Sequence, residues 1–215
     1  MGFAESQAPR ASAGDLRYTP PMPFESLAPA LLLAAPRLRD PNFDRSVILL
    51  GRHEEEGALG WVLNGTALAP VGEMLRSAEL VPRGVQIPST AAFRRPACVG
   101  GPVHAESGWL LYRSATASFV GELSIGDDLA VCSNPRAVEA IVQGDEPRDF
   151  RLVLGYAGWG PGQLEGELRE GVWLPSPADL SLILDTEPET LWDRAFREAT
   201  GVPPESFQGA SWGIA

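Results

Sequence analysis

Lysine does not occur in this chain: all 17 basic residues are arginine. That absence excludes a phosphate-loop lysine, a Schiff-base lysine and a lysine general base together. Cysteine is nearly as scarce. Cys98 and Cys132 are too few for a disulfide scaffold, and their spacing from the only histidines, His53 and His104, does not spell a zinc site. Two buried, reduced thiols are expected, which fits a cytoplasmic protein. Long apolar runs are missing too. Residues 27–35 (LAPALLLAA) follow Glu25, have no basic leader and are too short to span a bilayer, so they are expected as a strand entering the core.

Positive charge is in deficit, with 17 basic against 28 acidic residues and a formal net charge of −11. A field of that sign repels phosphate backbones and anionic lipid, and the arginines are scattered rather than clustered. Nucleic acid and membrane are therefore set aside as partners. The local doublets Arg94/Arg95 and Arg148/Arg151 are expected as surface arginines, too few to hold DNA at physiological salt.

What is present is an ordinary globular composition, 44% hydrophobic and 21% charged over 215 residues, without internal repeats. One domain over residues 25–205 is expected, between a disordered tail at 1–24 and a C-terminal tail at 206–215. Short β-type runs at 31–35, 46–52 and 59–64 open the domain, the last two joined by the charged tip at 53–57 as a hairpin. A short helix is expected at 72–79 with Met74 and Leu75 inward, then a loop holding one strand over 82–96, a strand at 97–101, and a strand pair at 108–113 and 117–122. Ser133-Asn134-Pro135 opens a helix running to Val142, with Gly144 beyond its end. A strand at 151–156 stops in a Gly-rich loop before a helix at 163–169. A strand follows at 180–184, then an amphipathic helix at 189–199 with Leu191, Trp192, Ala195 and Phe196 inward. Hairpins separated by isolated helices define an α+β fold rather than a parallel α/β sheet.

The most informative segment is LGYAGWGPGQLEGEL at 154–168, with Trp173 beyond it. In the same order come DPNF at 40–43 with Ser46-Val47, GALG at 57–60 leading to Asn64, GGPV at 100–103, and the Leu191-Trp192 helix ending near Gly201. Together these motifs resemble the YqgE/AlgH family of bacterial proteins over roughly residues 28–202. The resemblance implies a bent, barrel-like, mostly antiparallel sheet flanked by helices. It implies little about activity, because the family is largely uncharacterised and its regulator label does not say how DNA would be held. Where the family commonly carries Asn, a basic residue and Pro, this chain has Asn64-Gly65-Thr66, and where a strand usually ends in His it has Tyr112.

Glycines from Gly155 to Gly162 allow positive φ and close backbone approach at a strand-to-helix junction, and helix N-termini expose unpaired N–H groups. A small anionic ligand is expected there against Gly155, Gly158, Trp159, Gly160, Gly162 and Gln163, with Asn64 and Asp40 as further polar contacts. The alternative is that the glycines serve only tight packing of Trp159 and the helix onto the sheet. Other motifs fail on inspection. The third glycine of a dinucleotide fingerprint falls on Glu165, GASWG at 209–213 has no histidine after it, and the 196–205 segment lacks basic residues after Arg197 for a recognition helix. His53 with Glu54, Glu55 and Glu56, and the Asp127-Asp128 pair, read as solvated charge runs rather than a metal site, and His104 as a surface residue. No cofactor is implied. The leading expectation is a non-catalytic binding or regulatory protein with a small anionic ligand or a protein partner. Its rival is an enzyme at the 155–162 loop using Asp40, Asn64 or Glu165.

Overall fold

An apolar run with both faces covered needs no alternation, and β1 (Ala30–Ala34) is buried at all five positions. Leu31 and Leu33 enter one core while Ala30, Leu32 and Ala34 enter another on the opposite face. The computed structural model describes residues 24–207; the expected N-terminal tail, except Phe24, and the GASWG segment lie outside the described residues. The first hairpin pairs β2 (Val47–Glu54) with β3 (Gly57–Val62) around Glu55 and Glu56, so both strands run deeper into the charged tip than expected.

Next come β4 (Ala67–Pro70), α1 (Val71–Ser77), α2 (Ala91–Arg94), β5 (Pro96–Val99), β6 (Val103–Arg113), β7 (Leu123–Ile125) and β8 (Leu129–Cys132). The chain closes with α3 (Pro135–Gln143), β9 (Phe150–Trp159), α4 (Gln163–Arg169), β10 (Trp173–Pro177), a π-helical turn (Ser181–Asp185), α5 (Pro188–Thr200) and a 3-10 turn (Pro204–Phe207). Helix α3 is capped as its sequence demands. The Asn134 side chain accepts the Arg136 N–H at 3.0 Å, Pro135 takes the first turn, and Gly144 turns left-handed at φ 86°.

The sheet runs β10–β1–β2–β3–β9–β6–β8–β7, with β4 attached to β5 and β5 to β9. Every pairing is antiparallel except β5–β9. The sheet bends back on itself: a Cβ built on Gly51 of β2 would lie 2.8 Å from Ile125 of β7, strands far apart in the hydrogen-bonded order. Pairing nevertheless stops at β7 and β10, so the barrel-like curl is not closed. Inside the curl, Leu49, Trp61, Leu111 and Val153 meet Leu191, Trp192 and Phe196 of α5, and the Trp192 indole donates to the Ala34 carbonyl at 2.9 Å. Helices α1, α2 and α3 cover a second core on β6, β8 and β9, and α4 covers the third on β1 to β3.

Several expected elements fall elsewhere. Residues 82–95 contain the short α2 and no strand, and 117–122 form no strand; β6 pairs instead with β8, and β8 with β7. The apolar run at 180–184 is the π-helical turn, not a strand. Trp173–Pro177, unassigned from sequence, is an edge strand despite its two prolines.

Candidate functional site

Strand β9 does not stop at Tyr156 but continues to Trp159. Gly155 (φ 75°) sits opposite a bulge in β6, where the pairing jumps from Val103↔Tyr156 to Gly108↔Leu154. A Cβ there would lie 2.4 Å from the Gly101 carbonyl oxygen, so Gly155 and the GGPV turn are glycine-bearing because two backbones touch. Only Gly160-Pro161-Gly162 forms the elbow into α4.

The elbow is braced from within. Gln163 accepts the Gly160 N–H at 3.1 Å and donates to Glu167 at 2.9 Å. The other oxygen of Glu167 accepts two indole N–H groups, from Trp159 at 2.8 Å and Trp173 at 2.6 Å. One carboxylate thus ties the end of β9, the helix and the start of β10. Sequence reasoning singled out Glu165 and passed over Glu167, although its i,i+4 spacing from Gln163 was visible.

Glu165 has a different partner. His53, expected at a solvated tip, lies in β2 and is only 5% exposed. Its Nε2 is 3.1 Å from the Glu165 carboxylate, and its Nδ1 accepts the Leu27 N–H at 3.0 Å. An accepting Nδ1 leaves the ring proton on Nε2, donated to Glu165. Ser26 lies nearby, yet its hydroxyl donates to the His53 carbonyl at 2.9 Å and not to the ring, so no serine–histidine relay forms. Phe24 packs edge-on against the imidazole at 4.8 Å between centroids. Both ring nitrogens are engaged, which leaves neither for a metal ion.

Asn64 and Asp40 serve the approach to β2. Asn64 accepts the Val47 N–H at 2.7 Å and donates to the Arg45 carbonyl at 2.9 Å, and Asp40 accepts the Asn42 N–H at 2.8 Å. Phe43 of the same loop packs edge-on against Trp173, which places the DPNF segment behind the elbow, with the Asp40 carboxylate turned to its own backbone. The structure therefore gathers Trp159, Gly160, Gly162 and Gln163 at one turn, with Gly158 exposed just before it, and leaves Gly155, Asn64 and Asp40 apart from it.

The opposite end of β9 holds arginines expected on the surface. Arg151 is 3% exposed and donates to the carbonyls of Ile183 and Thr186, pinning the π-helical turn. Burial, then the neighbouring Arg95, lowers its guanidinium to about 10. The Arg95 side chain is 10% exposed, with Asp149 and Glu187 each 3.8 Å away and its Nε without a hydrogen-bond acceptor among the described residues. Burial pushes the adjacent Cys98 thiol up to about 11 despite Arg151, so near neutral pH it is protonated and unreactive. Both cysteines are buried and unpaired, as expected. His104 is exposed, as expected, beside Glu106 at 3.4 Å. Among the described residues, no helix is long and apolar enough to cross a membrane.

A curled, open, mostly antiparallel sheet with flanking helices and a glutamate-braced Gly-rich elbow defines the class of α+β protein to which this molecule is similar. The AlgH-like family model matches residues 31–204, and the chain belongs to that family. A UPF0301 protein of Anaeromyxobacter dehalogenans is 38% identical over 184 residues, covering 84% of this chain and 91% of its own length. One from Xanthomonas campestris is 38% identical over 169 residues, covering 79% of this chain and 87% of its own. The solution structure of the AlgH protein from Pseudomonas aeruginosa superposes with a TM-score of 0.66 at 31% identity, covering 90% of this chain and 100% of that one. A Corynebacterium diphtheriae crystal structure, at 23% identity and a TM-score of 0.64, shares the fold over 81% of this chain and 88% of its own.

Proposed function

We propose that this chain is a non-catalytic binding or regulatory protein of the cytoplasm, and that it acts by engaging a protein partner. The observation that supports this is the mutual engagement of the polar groups at the elbow. Glu167 takes three donors, Gln163 caps Gly160, and His53 is bonded on both nitrogens, so among the described residues at the elbow no nucleophile stands beside an available base. A small anion at Gly158, Trp159, Gly160, Gly162 and Gln163 is the weaker form of the same reading. Helix α4 has only seven residues and carries Glu165 and Glu167, which repel negative charge. Asn64 and Asp40 hold their own loops.

The enzyme reading draws on the His53–Glu165 contact, since a histidine–carboxylate pair is the core of many general bases. One experiment separates the two. The purified chain is offered nucleotides, phosphorylated metabolites and ester and amide substrates while turnover and thermal shift are recorded. The protein-partner reading expects neither turnover nor stabilisation by these small compounds, whereas stabilisation without turnover would favour the small-anion form. Turnover that disappears in Glu165→Ala while the fold persists would establish the enzyme instead.

A further inference from the structure

An apolar side chain held in water by an ordered turn is a feature that burial alone does not explain. After α1 the backbone closes through Ala78 N–H to the Met74 carbonyl at 2.9 Å, Glu79 N–H to Arg76 at 3.0 Å and Leu80 N–H to Leu75 at 3.0 Å. The turn forces Glu79 into the left-handed region at φ 56°, a conformation that glycine adopts without penalty and a glutamate does not. Its product is Leu80, 49% exposed, with Val85 of the same loop 38% exposed. Beside Leu80 and Pro82 opens a cleft of about 500 Å³ whose far wall is α3, lined there by Val138 and Val142. That volume lies within the ordinary range of ligand sites. The charged residues lining the cleft are Glu79 and Glu139, both acidic; Arg83 and Arg136 adjoin the lining but are not part of it.

We propose that this cleft, between the loop after α1 and helix α3, docks a segment of a partner protein that carries apolar side chains flanked by lysine or arginine. The proposal rests on the binding reading above and supplies its surface and the chemistry of its partner. Leu80, Pro82, Val138 and Val142 remove apolar side chains of the segment from water. Glu79 and Glu139 select a cationic flank, and the formal −11 of the whole chain steers such a segment inward. The same charge argues against a second copy of this chain, which would bring a like-signed net field. It argues equally against an anionic ligand in this cleft.

The test uses the full chain and a phage-displayed library of random short peptides, with affinities of the selected peptides then measured in solution. The selected peptides are expected to share paired apolar residues beside Lys or Arg and to weaken as salt rises. Leu80→Ser is expected to weaken them about tenfold, the burial of one aliphatic side chain. Glu139→Gln and Glu79→Gly weaken them less, and the latter also relieves the left-handed turn, so a folding defect cannot account for its effect. Failure to enrich any peptide, enrichment of peptides without basic residues, or indifference to all three substitutions would overturn the proposal. A concentration-dependent dimer abolished by Leu80→Ser would overturn it in favour of self-association. Peptides that ignore Leu80→Ser but are lost on Gly158→Arg would refute the cleft and leave the binding reading standing. Turnover of a compound lost in Glu165→Ala would refute that reading whatever the peptides do.

Discussion

The two ends of β9 take opposite charges into the fold and answer each with neutral dipoles. At Phe150–Arg151 a cation meets the backbone carbonyls of Ile183, in the π-helical turn, and of Thr186 just beyond it, and among the described residues no carboxylate lies within ion-pair distance of it. At Trp159 a carboxylate meets two indoles and an amide. The partners differ in reach. Arg151 bonds residues 32 and 35 positions away, while Glu167 bonds Trp159 and Trp173, 8 and 6 positions away. One end therefore fastens the approach to α5 onto the sheet, and the other stiffens a local corner. Long-range tethers bear on global stability, whereas local ones bear on how a single corner opens.

The sharpest way to break this contrast is Arg151→Ala, which leaves two buried carbonyls without donors. A loss of roughly 3 kcal/mol is expected, read from the denaturant midpoint, with smaller losses expected for a lysine that restores one bond. Glu167→Ala orphans two indole N–H groups and is expected to cost about 2 kcal/mol, whereas Glu167→Gln keeps an oxygen acceptor and costs less. Tryptophan emission and hydrogen exchange should place that loss at the elbow; exchange rising equally in α5 would erase the distinction between the two ends. Gly166→Ala should instead stabilise by about 0.5–1 kcal/mol, since nothing lies within 4 Å of an added Cβ in α4.

The smallest effect concerns Cys98, whose thiol burial raises to about 11. Folding favours the protonated thiol, so its contribution is whole at neutral pH and declines as pH climbs through the alkaline range toward 11. Alkylation of the native chain should be negligible near pH 8 and rapid only after unfolding. Rapid native-state labelling of Cys98 would show that the Arg151 end opens as readily as the elbow.

Much of this architecture could be read from residues alone. The buried run of β1, the β2–β3 hairpin, the Asn134 cap of α3 and the inward stripe of α5 are local signals that tertiary structure did not override. The π-helical turn at Ser181–Asp185 was misread because a short run of Leu180, Leu182, Ile183 and Leu184 fits a strand and a buried helical turn equally well. Strand β10 was missed because Pro175 and Pro177 argue against a strand unless it is known to lie at an edge. The strand-to-helix junction was legible as a tight turn but drawn too wide, since β9 runs on to Trp159, and Glu167, His53 and the burial of Arg151 depend on partners brought together only by the fold. Composition assigns arginine to the surface by default; carbonyls brought from 32 and 35 positions away reverse that default for Arg151.

The rim of the sheet has a last consequence. An unclosed sheet presents unpaired borders, here β10, β7 and the branch strand β4, and such borders invite neighbouring chains to add strands. On β10 the two prolines stand two residues apart while their Cα positions pair with Ala30 and Leu32, so their missing N–H groups face the same way, outward from the ladder. The other borders, β7 and β4, are three and four residues long. One margin thus offers a growing stack too few donors and the others too little length, and the molecule can keep its sheet open without becoming a template for its own polymer.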